Sequence, residues 1–241
     1  MIERLTYLNK LISKQWNGRI KIITGIRRSG KSTLLFEIYR EHLLNTGVDE
    51  SEIIAIALDD DINEMFRNPS VISDYVREKC ADKNKKYYVF LDEIQFAISK
   101  EELRDKDKPI KLYSVLNGLL NLKNVDVYVT GSNSKLLSKD VLTEFRGRGD
   151  EVHLYPLSFF ELLPLYENKY KCFEDYILYG GLPMVCINND EKKKNEFQDE
   201  VNKLTDELKK LQQKKYYAEK TLQKAHSKCL VLHLKHIMLQ R

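Results

Sequence analysis

Hydrophobic residues in positions 2–155 fall into two kinds of pattern. Short runs that are apolar and rich in β-branched residues predict strands at 19–24, 52–58, 87–91, 125–130 and 151–155. Between these runs, apolar residues recur every three or four positions, which predicts helices at 2–15, 32–39, 69–80 and 109–123. Alternating strands and helices are typical of a parallel sheet with helices on both faces, so the pattern predicts an α/β fold.

The loop after the first predicted strand carries a phosphate-binding motif. Residues 25–32 fit G-x-x-x-x-G-K-[ST] at every fixed position, between a predicted strand and a predicted helix. The two glycines allow successive backbone N–H groups to turn towards an anion. Lys31 is expected to reach the β- and γ-phosphates of a nucleotide, and the Ser32 hydroxyl to bind Mg²⁺. The predicted nucleotide-binding residues are Gly25, Ile26, Arg27, Arg28, Ser29, Gly30, Lys31, Ser32 and Thr33.

Further polar residues follow two other predicted strands. Asp92 and Glu93 come directly after the apolar run 87–91, and functional residues of doubly wound sheets gather at the carboxyl ends of the strands. Asp92 is expected to bind Mg²⁺, directly or through water, and Glu93 to polarise a water that attacks the γ-phosphate. Ser132 and Asn133 follow the fourth strand, where they either contact that water or simply form a turn.

Other candidate residues have two interpretations each. Arg146 and Arg148 lie in a glycine-containing turn, where they either stabilise charge on a transferring phosphoryl group or are surface charges at a helix end. Trp16, the single tryptophan, is more typical of a packing anchor than of an adenine-stacking residue. We interpret Asp59, Asp60 and Asp61 as a solvated loop, because neighbouring side chains point apart.

Composition narrows the class of protein. Hydrophobic residues make up 42% of the 241 residues, which supports a packed core, and no run of about 18 apolar residues predicts a membrane-spanning helix. The four cysteines are scattered and form no C-x-x-C motif, so we expect a reduced, cytoplasmic setting.

Residues 191–241 have a pattern of their own. They contain 13 Lys and Arg against 7 Asp and Glu, whereas the other 190 residues contain 27 against 29. Apolar residues alternate at spacings of four and three over about five heptads, which predicts a long helix with coiled-coil tendency. The basic charge makes contact with DNA or a protein partner possible, although a solvated basic helix is the simpler interpretation.

Three segments resemble motifs of a known family in the expected order: Gly25–Ser32, Leu91–Gln95 and Thr130–Ser134. They resemble the AAA-type ATPases of prokaryotes, particularly the group that usually carries a C-terminal DUF4143 region. Later segments look like further signatures of that group, namely Gly147–Glu151, Pro156–Phe159 and Tyr179–Pro183.

The resemblance implies a domain organisation and a sheet arrangement. An AAA-type core would occupy residues 1–166 and the start of a helical lid residues 167–190. The basic helical tail 191–241 departs from the family, whose helical lid and long C-terminal region are expected there, so the chain is expected to be truncated or altered after about residue 190. The phosphate-loop strand would be flanked by the strand that ends in Asp92 and by the strand that precedes the sensor-1 residue.

The resemblance also implies roles for individual residues. It assigns Asp92 to Mg²⁺, Glu93 to the general base and Ser132 or Asn133 to sensor 1. It assigns Arg148 or Arg146 to an arginine finger, which a neighbouring subunit of a homo-oligomer would supply. ATP and Mg²⁺ are the ligands that it implies.

The sequence therefore predicts a Mg²⁺-dependent ATPase that acts as a conformational switch. A nucleotide-sensing module with little hydrolysis, possibly associated with DNA, is the alternative, because no arginine lies between Arg148 and Arg241 to serve in a lid. A P-loop phosphotransferase fits less well, since such enzymes do not need an Asp-Glu pair followed by a polar sensor strand.

Overall fold

The computed structural model describes residues 2–104, 109–131, 147–186 and 199. All the helices and strands given below lie in the compact unit Met1–Cys186. Several predictions fall outside the described residues, namely those for Ser132, Asn133, Arg146 and the helical tail 191–241.

Five parallel strands form one sheet in the order β2-β3-β4-β1-β5, which confirms the predicted α/β architecture. Their bounds are Ile20–Thr24 (β1), Ile53–Ala57 (β2), Tyr87–Asp92 (β3), Val125–Thr130 (β4) and Gly149–His153 (β5). Every residue of β1, β3 and β4 is buried, as expected for strands that helices cover on both faces.

The order of the strands corrects one expectation. The strand that ends in Asp92 was expected to flank the phosphate-loop strand, and that expectation is wrong. β1 is an inner strand of the sheet, because β4 pairs with one of its edges and β5 with the other. As a result β4 lies between β1 and β3, and its last residue, Thr130, lies between the two halves of the candidate site.

Besides short 3₁₀ segments, eight helices accompany the sheet in the part of the chain that the structure describes. The second, α2, has three consecutive segments, Lys31–Thr33, the π-helical Leu34–Tyr39 and Arg40–Asn45. The others are Leu5–Ser13 (α1), Pro69–Lys79 (α3), Lys100–Arg104 (α4), Lys111–Leu120 (α5), Phe159–Leu162 (α6), Lys169–Tyr179 (α7) and Pro183–Cys186 (α8). None of them is long and apolar enough to cross a bilayer.

The hydrophobic core has one cluster on each face of the sheet. On one face, helices α3 and α5 pack against the strands, with Ile72 and Leu116 fully buried. On the other face, helices α1 and α2 contribute Leu11, Leu34 and Tyr39. Each fully buried side chain of this size stabilises the fold by about 1.5–3 kcal/mol, so the two clusters fix the sheet that presents the candidate site.

A buried polar network ties the segment that follows α1 to the sheet at the end opposite the phosphate loop. Lys21 of β1 forms an ion pair with Asp126 of β4, and Asp126 also accepts a hydrogen bond from the Trp16 backbone N–H at 3.0 Å. The Trp16 indole N–H donates to the Tyr88 hydroxyl at 3.0 Å, and the two rings meet edge to face. These contacts support the interpretation of Trp16 as a packing anchor.

Candidate nucleotide-binding site

The phosphate-binding loop connects β1 directly to α2. Gly25 and Gly30 have φ angles of 146° and 92°, in the region that favours glycine, and Arg28 between them has φ 65°. A Cβ atom on Gly25 would lie closer than 3.0 Å to the carbonyl oxygen of Leu154, so the loop fits against the chain after β5 only because that residue is glycine.

The loop residues differ in how far solvent reaches them. Ile26, Arg27 and Arg28 are exposed, whereas Ser29 is buried completely. Thr33 is half-buried in the first turn of α2. Pro183 at the start of α8 borders the loop, because a Cβ atom on Gly30 would lie 3.8 Å from its Cγ.

The side chain of Lys31 folds back onto the phosphate-binding loop. Only 4% of the residue is exposed, and its Nζ donates hydrogen bonds to the carbonyl oxygens of Gly25 at 3.2 Å and Ile26 at 3.0 Å. Burial lowers the pKa of Lys31, while the carboxylates of Glu93 and Asp92 oppose that shift. Both carboxylates therefore act electrostatically on the Lys31 ammonium.

Asp92, the last residue of β3, is joined to the start of α2. Its carboxylate accepts hydrogen bonds from the hydroxyls of Ser32 and Thr130, and only 3% of the residue is exposed. Burial raises the pKa of Asp92, and the two hydrogen bonds act in the opposite direction. A hydroxyl and a carboxylate in direct contact are hard oxygen donors of the kind that Mg²⁺ prefers, so Ser32 and Asp92 fit the predicted metal.

Glu93 has an unusual backbone conformation. Its φ and ψ are 51° and 53°, the left-handed region that costs a residue with a side chain roughly 1–2 kcal/mol. Its backbone N–H donates to the Thr130 hydroxyl oxygen at 3.1 Å, and its carboxylate accepts a hydrogen bond from the Gln95 amide. Such strain is typical of residues that a functional site holds in a required position.

Two residues of this arrangement were missed by the sequence reasoning. Thr130 links Asp92 to the backbone of Glu93, and Gln95 holds the carboxylate of Glu93. Thr130 could have been noticed as the last residue of a predicted strand, but its contacts with Asp92 and Glu93 could be predicted only from the strand order. Gln95 belongs to the segment Leu91–Gln95, which resembles a motif of the family, and the 3₁₀ turn Ile94–Ala97 brings it back towards Glu93.

Arg148 lies away from the phosphate loop of its own chain. Its carbonyl oxygen accepts a hydrogen bond from the N–H of Ile20, the first residue of β1, at 2.9 Å. Thr24, at the other end of β1, is four residue steps from Ile20, about 13 Å along the strand. The exposed guanidinium donates to the side-chain oxygen of Asn117 at 3.3 Å. The structure therefore does not bring Arg148 together with Lys31, Asp92 and Glu93.

The family follows from a direct match. Residues 17–163 match the family model described as an AAA domain, which is more than half of the chain. The chain therefore belongs to this family, and its class is that of AAA-type, ATP-binding P-loop domains.

Two relatives are similar to most of this chain. The chain is 32% identical over 199 residues to an uncharacterised protein of Haemophilus influenzae, covering 80% of this chain and 46% of the relative. It is 31% identical over 195 residues to the uncharacterised protein MJ1544 of Methanocaldococcus jannaschii, covering 74% and 38%. The chain therefore spans less than half the length of either relative.

Similarity to solved structures is more distant. Replication initiator DnaA bound to AMPPCP and single-stranded DNA is 17% identical, with a TM-score of 0.47, over 84% of this chain and 67% of that one. The Aeropyrum pernix ORC1 protein in complex with DNA is 13% identical, with a TM-score of 0.47, over 71% and 50%. Similarities at this level say nothing about function.

Proposed function

We propose that the chain binds Mg²⁺–ATP at the phosphate loop and hydrolyses it to ADP and phosphate. The observation that carries the proposal is the convergence of three charged groups, Lys31, Asp92 and Glu93, at the carboxyl edge of the sheet. Lys31 follows β1, whereas Asp92 and Glu93 are consecutive residues at the end of β3. Thr130 of β4, the strand between β1 and β3, contacts the Asp92 carboxylate and the Glu93 backbone N–H.

Lys31 and the loop would bind the phosphates. The Lys31 ammonium already donates to the loop carbonyls of Gly25 and Ile26, so the loop holds a cation where the motif expects the β- and γ-phosphates. A charge-assisted hydrogen bond in a buried place is roughly twice as strong as a neutral one. Lys31 would therefore supply a large share of the affinity for ATP.

Ser32 and Asp92 would hold the metal, and Glu93 would act on the water. When bound, Mg²⁺ neutralises charge on the β- and γ-phosphate oxygens. The Glu93 carboxylate would accept a hydrogen bond from the water that attacks the γ-phosphorus, and would take its proton as the bond to the ADP oxygen breaks. The Glu93 backbone, fixed by Thr130, and its carboxylate, fixed by Gln95, keep that base oriented.

Replacing Glu93 by glutamine tests the proposal. Glu93→Gln keeps size and hydrogen-bonding reach but loses basicity, so ATP affinity by calorimetry should stay within about twofold while steady-state turnover falls about 100-fold or more. Glu64→Gln, at an exposed glutamate of the 3₁₀ segment Asp61–Arg67, is the matched control and should leave both unchanged. Wild-type turnover in the Glu93→Gln protein would contradict the role of Glu93.

A nucleotide-sensing module with little hydrolysis is the second candidate. The observation in its favour is the hydrogen bond from the Gln95 amide, which occupies the carboxylate that a base would use. In that case the wild-type protein binds ATP tightly, turns it over no faster than the uncatalysed background, and gains turnover in Gln95→Ala. Hydrolysis that is unchanged or lower in Gln95→Ala would instead favour the ATPase.

A further proposal concerns assembly. Arg148 is exposed at the amino-terminal ends of the strands and lies about 13 Å or more along the strands from the phosphate-binding loop of its own chain. An arginine in this place could serve as a finger only for the site of a neighbouring subunit. We therefore propose that hydrolysis requires a homo-oligomer.

A further inference from the structure

Arg4, which directly precedes α1, is a buried arginine that the ATPase roles above do not use. Only 4% of the residue is exposed. Its Nη2 donates to the carbonyl oxygen of Tyr155 at 2.7 Å, its Nη1 donates to that of Ser29 at 3.3 Å, and its Nε pairs with the Glu161 carboxylate at 2.7 Å. Burying a guanidinium is costly unless its charge is paired and its donors are used, and here the Glu161 carboxylate pairs with the charge while Nη1 and Nη2 donate to backbone carbonyls.

The bond to Ser29 acts on the phosphate-binding loop. In a trans peptide unit the C=O and the following N–H point in opposite directions, and the described residues contain no cis peptide. Because Arg4 holds the Ser29 carbonyl on one side, the Gly30 N–H must point to the other. That N–H is one of the loop donors expected to face the phosphates.

Gly30 makes this restraint necessary. A glycine adopts positive and negative φ almost equally well, so the peptide before Gly30 can turn over at little cost. A reversed peptide would aim the Ser29 carbonyl oxygen at the anion instead of an N–H. The bond from Arg4 therefore selects the orientation that attracts phosphate.

Glu161, which pairs with Arg4 Nε, is itself held in place. It belongs to the capping box at the start of α6, where its second carboxylate oxygen accepts hydrogen bonds from the N–H and the hydroxyl of Ser158, both at 2.8 Å. The carboxylate is thus held by a helix terminus and cannot follow Arg4 if the loop moves. Arg4 is further placed over the Tyr7 ring, 4.6 Å from its centroid.

We propose that Arg4 is a positioning residue of the phosphate-binding loop. Its guanidinium, held by Glu161, keeps the Ser29 carbonyl turned away and so presents the Gly30 N–H to the phosphates. The identity of the anion as ATP rests on the proposed function, whereas the orientation of the peptide does not.

The experiment compares three variants of the full chain. Arg4→Met removes the hydrogen-bond donors. Arg4→Lys keeps a positive charge beside Glu161, but an ammonium cannot also donate to the carbonyl oxygens of Ser29 and Tyr155 in the geometry of a guanidinium. Arg19→Met is the matched control, because Arg19 also pairs with a carboxylate, Asp150 at 3.2 Å, away from the loop. For each variant we would record the unfolding midpoint, the Mg²⁺–ATP affinity and the Gly30 amide resonance in nucleotide-free protein.

Both Arg4 variants should shift the Gly30 amide resonance and weaken ATP binding about tenfold, and Arg19→Met should do neither. A purely structural role would lower the unfolding midpoint and leave both readouts of the folded protein unchanged, and that result would overturn the proposal. If Arg4→Met does not fold, Arg4→Lys decides. If the wild type binds no ATP, the proposed function fails, and the Gly30 resonance alone decides whether Arg4 orients the loop.

Discussion

Replacing Gly25 by alanine would disturb the loop in a way that can be worked out from its surroundings. The new Cβ would lie closer than 3.0 Å to the Leu154 carbonyl oxygen, and the Leu154 N–H is itself bonded to the Thr24 carbonyl at 2.7 Å. The carbonyl therefore cannot withdraw without disturbing the chain beside β1. Forcing an alanine to a positive φ costs roughly 1–2 kcal/mol, and the overlap about 1–3 kcal/mol more.

Gly47→Ala separates the two costs. Gly47 also has a positive φ, 93°, but a Cβ atom there would meet nothing within 4 Å, so only the backbone cost of roughly 1–2 kcal/mol applies. Urea unfolding of both variants should show Gly25→Ala to be the less stable by about 1–3 kcal/mol, and calorimetry should show weaker ATP binding in Gly25→Ala alone. Equal unfolding free energies in the two variants would refute the reasoning about Leu154.

The remaining predictions concern Asp92 and Arg148. Since burial raises the pKa of Asp92, its charged form destabilises the fold above that pKa. In metal-free buffer, Asp92→Asn should therefore be more stable than wild type at pH 7.5, with the advantage lost as pH falls through the Asp92 pKa. A variant of lower stability at pH 7.5 would contradict this. If Arg148 acts in a neighbouring site, wild-type hydrolysis should rise faster than linearly with protein concentration, and Arg148→Ala should lose up to about 10³-fold in rate. Mixing it with Lys31→Ala should restore activity, and strict proportionality without restoration would exclude the role.

The parts of the site that sequence reasoning found are local in the chain. The phosphate loop needs two glycines, a lysine and a serine at fixed spacing, and the polar pair Asp92-Glu93 ends an apolar run. The structure gives both their expected settings, one between β1 and α2 and the other at the end of β3. Local patterns suffice here because each motif is positioned by the strand that it follows.

The parts that sequence reasoning missed depend on which segments become neighbours. A hydrophobic pattern indicates that a segment is a strand but not which strand pairs with it, so β4 was not expected between β1 and β3. For that reason Thr130 was not expected to contact the Asp92 carboxylate and the Glu93 backbone N–H. Arg4 gave no signal at all, because a single charged residue before an amphipathic helix is ordinary and its partners lie far along the sequence.

The pairing of β1 has a consequence for how the protein is made. Lys21 of β1 and its partner Asp126 are 105 residues apart, and the contact between Arg4 and Tyr155 spans 151 residues. During synthesis the loop and the strand that supports it therefore leave the ribosome long before the segments that hold them, and their closure entropy cannot be offset until those segments arrive. A nascent chain that stops before β4 and β5 would carry the whole motif of residues 25–32 without a nucleotide site.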